Sequence, residues 1–176
     1  TGFPALVRII VDQQVSTHCG VAIWRNLEEN IREITPLAVL EAGEENLRAC
    51  GFSGSKARYA SALARAIIEG RLNISELRKQ SNEQVESELT KIKGIGRWTS
   101  DIYQMFSLGR SDVWPAGDLA VAVAVQHLLG MTSRPSQGEM DEISQQWRPW
   151  RTAAATMLWH YYRYIKSMPV GESGRT

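Results

Sequence analysis

Two places in the chain set chemically useful residues at a usable spacing. The first is Lys91-Ile92-Lys93-Gly94-Ile95-Gly96-Arg97, where two glycines separated by one residue interrupt an otherwise helical pattern. Glycine lacks a Cβ, so the chain can turn sharply there and let another backbone approach. The amides of Gly94, Gly96 and the following helix start can then point outward together and bind an anion, a phosphate being the natural guest. Lys91, Lys93 and Arg97 add local positive charge. Contacts of this kind hold a protein on a nucleic-acid backbone without reading its sequence. The same residues also suit a plain helix-helix turn with solvated lysines. A dinucleotide site does not fit, because the third glycine and the preceding strand are missing.

The second place is Val113-Trp114-Pro115-Ala116-Gly117-Asp118, a turn that delivers an acid to the start of the apolar run Leu119 to Leu129. Aspartate is a favoured helix N-cap, worth about 1 kcal/mol, and that role alone would explain it. A helix N-terminus also keeps the carboxylate ionised. A fixed carboxylate beside a sugar that becomes positively charged stabilises that charge or orients a water, so the capping and catalytic roles are compatible. The histidines His18, His127 and His160 have no metal-ligand or triad spacing. His18 reads as a partly buried structural residue.

Both places need helices to position them, and helix punctuation recurs along the chain while alternating strand patterns are scarce. The fold class is all-α. Thr35-Pro36 starts a short helix that Gly43 closes. Ser55 starts another that runs to Gly70, with Ala60, Leu63, Ala64, Ile67 and Ile68 on one face. Ser81 to Gln84 has capping-box spacing ahead of Val85, Leu89 and Ile92. Helical spacing then covers Trp98 to Leu108, Asp118 to Leu129, Gln137 to Gln146 and Trp150 to Lys166. Residues 30–110 are expected to form one lobe, and 1–29 with 111–168 the other, with the active site in the cleft between them and 169–176 a loose tail.

The 176 residues allow one substantial core or two small lobes. No apolar run approaches the roughly 20 residues needed to cross a bilayer, so membrane roles drop out. The net charge of +1 does not mark a whole-surface nucleic-acid binder, so any such contact must be local. Cys19 and Cys50 form no CxxC pair, which points to a reducing, intracellular setting. No secretion signal is visible, and the start without Met on a helical segment leads us to expect a preceding portion.

The ordered set of segments resembles the helix-hairpin-helix DNA glycosylase superfamily, which includes endonuclease III. Its methyladenine DNA glycosylase II branch is the most similar. The resemblance is carried by Leu89-x-x-Ile92-Lys93-Gly94-Ile95-Gly96-Arg97-Trp98-Thr99, by Gln13-Gln14-Val15-Ser16 on the first helix, by Gly51-Phe52-Ser53 with Lys56, and by Trp147-Arg148-Pro149-Trp150-Arg151 leading to Trp159. It spans nearly the whole chain. It implies that Asp118, roughly 20 residues after the hairpin, is catalytic, and that Lys91, Lys93, Gly94, Gly96, Arg97 and Thr99 bind the DNA backbone. It also implies a Na+ or K+ ion on the backbone carbonyls of Thr90, Ile92 and Ile95. Gln14 takes the position of the wedge that fills the gap left by a flipped base. Ser16 and Thr17 are placed to touch DNA nearby.

Where strand-cleaving relatives carry a lysine, this chain has Trp98, so base excision without strand cleavage is expected. Trp98 and Trp159 match positions lining the base pocket, and an alkylated, positively charged purine is drawn to an indole face. Trp24, Trp147 and Trp150 are read as core or lobe-interface residues. The family often has a second acid before the aspartate, where this chain has Gly117. The four cysteines of the iron-sulfur relatives are missing, and no catalytic cofactor is implied. The implied partner is double-stranded DNA with a damaged base, bound by a monomer in the bacterial cytoplasm, associated with the nucleoid, or in the eukaryotic nucleus. Two alternatives stand beside excision of methyladenine and related purines: another lesion, such as hypoxanthine or ethenoadenine, or a non-catalytic DNA-binding module.

Overall fold

The computed structural model of the chain describes residues 2–167; the tail expected at 169–176 lies outside the described residues. Among the described residues the regular elements are helices, with no strands. They divide into two compact units, one ending at Leu108 and the other beginning at Gly109.

The first unit holds α1 (Phe3–Asp12), α2 (Thr17–Asn30), α3 (Pro36–Ala49), α4 (Gly54–Ile68), α5 (Asn82–Thr90) and α6 (Arg97–Phe106). Helix α1 is nearly all apolar, and Leu6, Val7, Ile10 and Val11 are completely buried. It packs on α2, α4 and α6, while α3 packs on α4 and α5 on α6. This corrects the expected division, which joined residues 1–29 to the C-terminal helices. An apolar helix must bury its surface, and the partners of α1 lie in the hairpin-bearing unit.

Capping fixes most boundaries, with three departures from the sequence reading. Ser81 and Gln84 form the expected capping box of α5. The cap of α4 is Ser53, not Ser55: its hydroxyl accepts the Lys56 amide. At Gly43 the φ of 75° breaks α3 into two pieces without ending it. Ile68 is exposed, while Ala60, Leu63 and Ala64 of the same helix are fully buried.

The second unit holds α7 (Leu119–Leu128), α8 (Gln137–Ile143), a 3-10 turn over Ser144–Trp147, and α9 (Arg151–Ser167). Helices α7 and α9 pack against each other. Val121, Ala124, Val125, Met140 and Ala155 form its buried centre. Trp114 is buried with its ring centroid 5.1 Å from that of Trp147. Trp150, expected as a core or lobe-interface residue, is instead exposed.

Candidate functional site

The hairpin closes through two short bonds: the Ile92 amide donates to the Leu89 carbonyl at 3.1 Å and the Ile95 amide to the Ile92 carbonyl at 3.0 Å. Buried Ile92 and Ile95 anchor it in the core. Its two glycines do different things. Gly94 sits at φ 93°, and the Tyr59 ring of α4 occupies the space a Cβ would take. Gly96 caps α6 in extended conformation, with open space around its Cα. Gly94 is therefore required by conformation and packing, whereas Gly96 keeps the first α6 amides uncovered.

These residues line a groove of about 650 Å³ together with Lys91, Lys93 and the α4 start. Lys91 is exposed and pairs with Glu88 at 2.6 Å, a surface pair worth at most about 1 kcal/mol that a phosphate can displace. Lys93 is exposed on the same rim. Arg97 stands 3.8 Å from the buried carboxylate of Asp101. Thr99 corrects its expected role as a DNA contact: it is 2% exposed, and its hydroxyl accepts from Gln13 Nε2. Thr90, Ile92 and Ile95 all line the groove. Carbonyl oxygens are hard donors, and the Ile92 oxygen keeps a second lone pair, so this set fits a monovalent cation.

The segment Gln13 to Ser16 was expected on the first helix, but α1 ends at Asp12 and the segment forms the turn into α2. Gln14 is exposed at φ 53°, in the left-handed region that non-glycine residues rarely adopt. Ser16 caps α2 by accepting the Cys19 amide. His18 is exposed rather than partly buried. Lys56 is buried, and its ammonium donates to the Val11 carbonyl at 2.7 Å, closing the end of α1. Burial pushes the Lys56 pKa down from its ordinary value, with Cys19 and Asp12 acting the other way.

In the second unit Asp118 is the N-cap of α7, and its Oδ1 accepts two bonds. The Val121 amide donates at 2.9 Å and the Trp159 indole N–H at 3.0 Å. The carboxylate is thus aimed by its own helix and by α9. The turn before it is clamped from the α9 start. Arg151 donates to Asp112 at 2.6 and 3.0 Å, and Thr152 donates to the Arg110 carbonyl at 2.7 Å. The Arg151 guanidinium holds the Asp112 carboxyl below the usual carboxylate range. Asp118 opens on a recess of about 270 Å³ that also includes Gly117, Arg134 and Ser136.

The sequence reading paired neither Asp112 with Arg151 nor Trp159 with Asp118, since partners 39 and 41 residues apart leave no local signal. The roles of Gln13, bonded to Gly94 and Thr99, and of Tyr59, packed on Gly94, were missed for the same reason. Trp98 is half-buried at the start of α6 and Trp159 half-buried on α9.

Residues 7–149 match the model of the HhH-GPD superfamily of base excision DNA repair proteins. This chain belongs to that superfamily. Members similar to it include the alkylbase DNA glycosidase-like protein mag2 of Schizosaccharomyces pombe, 32% identical over 89% of this chain and 76% of that protein. DNA-3-methyladenine glycosylase 1 of the same yeast is 35% identical over 89% of this chain and 71% of its own length. The solved structure of S. pombe 3-methyladenine DNA glycosylase Mag1 with abasic DNA matches 99% of this chain and 83% of that one, with a TM-score of 0.85 and 31% identity. The resemblance to the methyladenine branch of the superfamily drawn from the sequence is therefore borne out.

Proposed function

We propose that this chain is a monofunctional DNA glycosylase that removes alkylated purines, methyladenine among them, in base excision repair. The observation that carries the reading is Asp118, held by two N–H donors on one oxygen at the mouth of a recess. The relatives named above as methyladenine glycosylases support the substrate class.

The division of labour follows the two units. In the first, the hairpin amides with Lys91, Lys93 and Arg97 hold a phosphate, and Gln14 fills the gap left by the extruded base; the backbone carbonyls of Thr90, Ile92 and Ile95 would hold a Na+ or K+ ion, which would add positive charge beside that phosphate. In the second, Asp118 supports bond cleavage. The C1′–N bond breaks with its electrons leaving on the base, so a cationic alkylated purine departs neutral. Water then adds to C1′ and loses a proton. The Asp118 carboxylate stabilises the positive sugar between those events or orients the water. Trp159, bonded to Asp118, offers an indole face to the cationic base. No catalytic cofactor enters this chemistry, and with Trp98 in the lysine position no Schiff base forms.

The test is Asp118→Asn, assayed on duplex DNA carrying an alkylated purine. Binding should stay within about twofold while base release slows by at least about a hundredfold. Unchanged release would remove Asp118 from the mechanism. Wild-type protein that binds the duplex yet releases nothing would instead support a non-catalytic binding module. Borohydride trapping of a covalent adduct would overturn the monofunctional assignment.

A further inference from the structure

The turn that carries Gln14 is only four residues long, Gln13 to Ser16, and its tip is exposed with a left-handed backbone. What holds it is the side chain before the tip. Gln13 Nε2 donates to the Gly94 carbonyl at 3.1 Å and to the Thr99 hydroxyl at 2.9 Å, across 81 and 86 residues of sequence. A side-chain amide has two N–H donors, and both are used on the hairpin. The receiving end is rigid, since Thr99 is buried and Gly94 lies under the Tyr59 ring. Gln13 and Gln14 also line the same groove as the hairpin.

We propose that Gln13 is a positioning residue that locks the wedge turn to the backbone-gripping hairpin. A phosphate seated on the hairpin then fixes the register in which Gln14 enters the duplex. The inference rests on the reading of Gln14 as the wedge. The fold does not depend on Gln13, because the Lys56–Val11 bond ends α1 and the Ser16 cap starts α2 independently. Losing the amide therefore loosens the tip and leaves the grip in place.

The experiment compares full-chain Gln13→Leu, Thr99→Val, Gln14→Ala and the double variant Gln13→Leu/Gln14→Ala. Each is measured for affinity to undamaged duplex, for fluorescence of 2-aminopurine placed beside an alkylated purine, and for single-turnover base release. Gln13→Leu should bind undamaged duplex within about twofold of wild type while release falls about tenfold and the fluorescence rise is lost. Thr99→Val, which keeps the Gly94 bond, should lower release about threefold. The double variant should be no slower than Gln14→Ala, because Gln13 acts through Gln14. Full release by Gln13→Leu would overturn the proposal. So would losses that multiply in the double variant, or affinity for undamaged duplex that falls in step with release. Full release by Gln14→Ala would overturn the wedge reading itself, and with it this role for Gln13.

Discussion

The two units solve opposite problems. On the proposed reading the hairpin unit holds a charged, repeating backbone, and what it offers for that is mostly main chain: glycine geometry and the amides at the α6 start. The unit carrying Asp118 puts its chemistry on one oxygen, aimed by Val121 and Trp159, with Arg151 and Thr152 clamping the turn that delivers it. On that reading binding is spread over many contacts that share one hairpin scaffold, while bond cleavage is concentrated in one group whose orientation comes from two helices. Substitutions in the hairpin grip should therefore change affinity, whereas those at Asp118 and its donors, and at the Gln13–Gln14 turn, should change the release rate.

After Asp118 itself, the sharpest break is at Gly94. Gly94→Ala puts a Cβ into the Tyr59 ring at a φ that disfavours it, and should cost about 2–3 kcal/mol of stability and most of the DNA affinity. Gly96→Ala meets open space and should cost less than about 1 kcal/mol. Thermal denaturation of the pair checks this, and equal losses would mean that the two glycines do the same work. Next comes Trp159→Phe, which keeps an aromatic face, smaller than the indole, and removes the donor to Asp118. Release should slow about tenfold with lesion binding little changed. A loss confined to binding would leave Trp159 as pocket wall only.

Asp112 gives a smaller, pH-dependent effect. Its folded pKa is depressed by Arg151, so its contribution is present above the ordinary carboxylate range and lost as pH falls through the folded value. Wild type should lose more stability than Asp112→Asn on going from about pH 6 to about pH 3, the two curves converging in acid. Parallel curves in denaturant melts would contradict the pairing. Smallest is Lys93→Gln, which should weaken binding to all duplexes alike and lower the salt slope by about one, with the release rate of bound substrate unchanged.

The sequence carried the features that local chemistry dictates. The Ser81 capping box, the Asp118 cap, the hairpin glycines and the ends of most helices follow from residue type and short spacing, and the structure contains them. It did not carry what depends on distant partners. Thr99 reads as a surface residue on a DNA-facing helix until Gln13 is seen bonded to it, and Trp159 reads as pocket wall until its N–H is found on Asp118. The placement of α1 failed for a related reason. A helix apolar on nearly every side shows that it is buried, but not against which neighbours.

The most direct test of the account is to incubate the wild-type protein with duplex DNA alkylated on its purines and identify the released material by mass spectrometry, with the strands run on a denaturing gel before and after alkali. The account predicts free methyladenine and related alkylated purines, with strands that remain whole until alkali breaks them. No released base, or strands already cut before alkali, would contradict it.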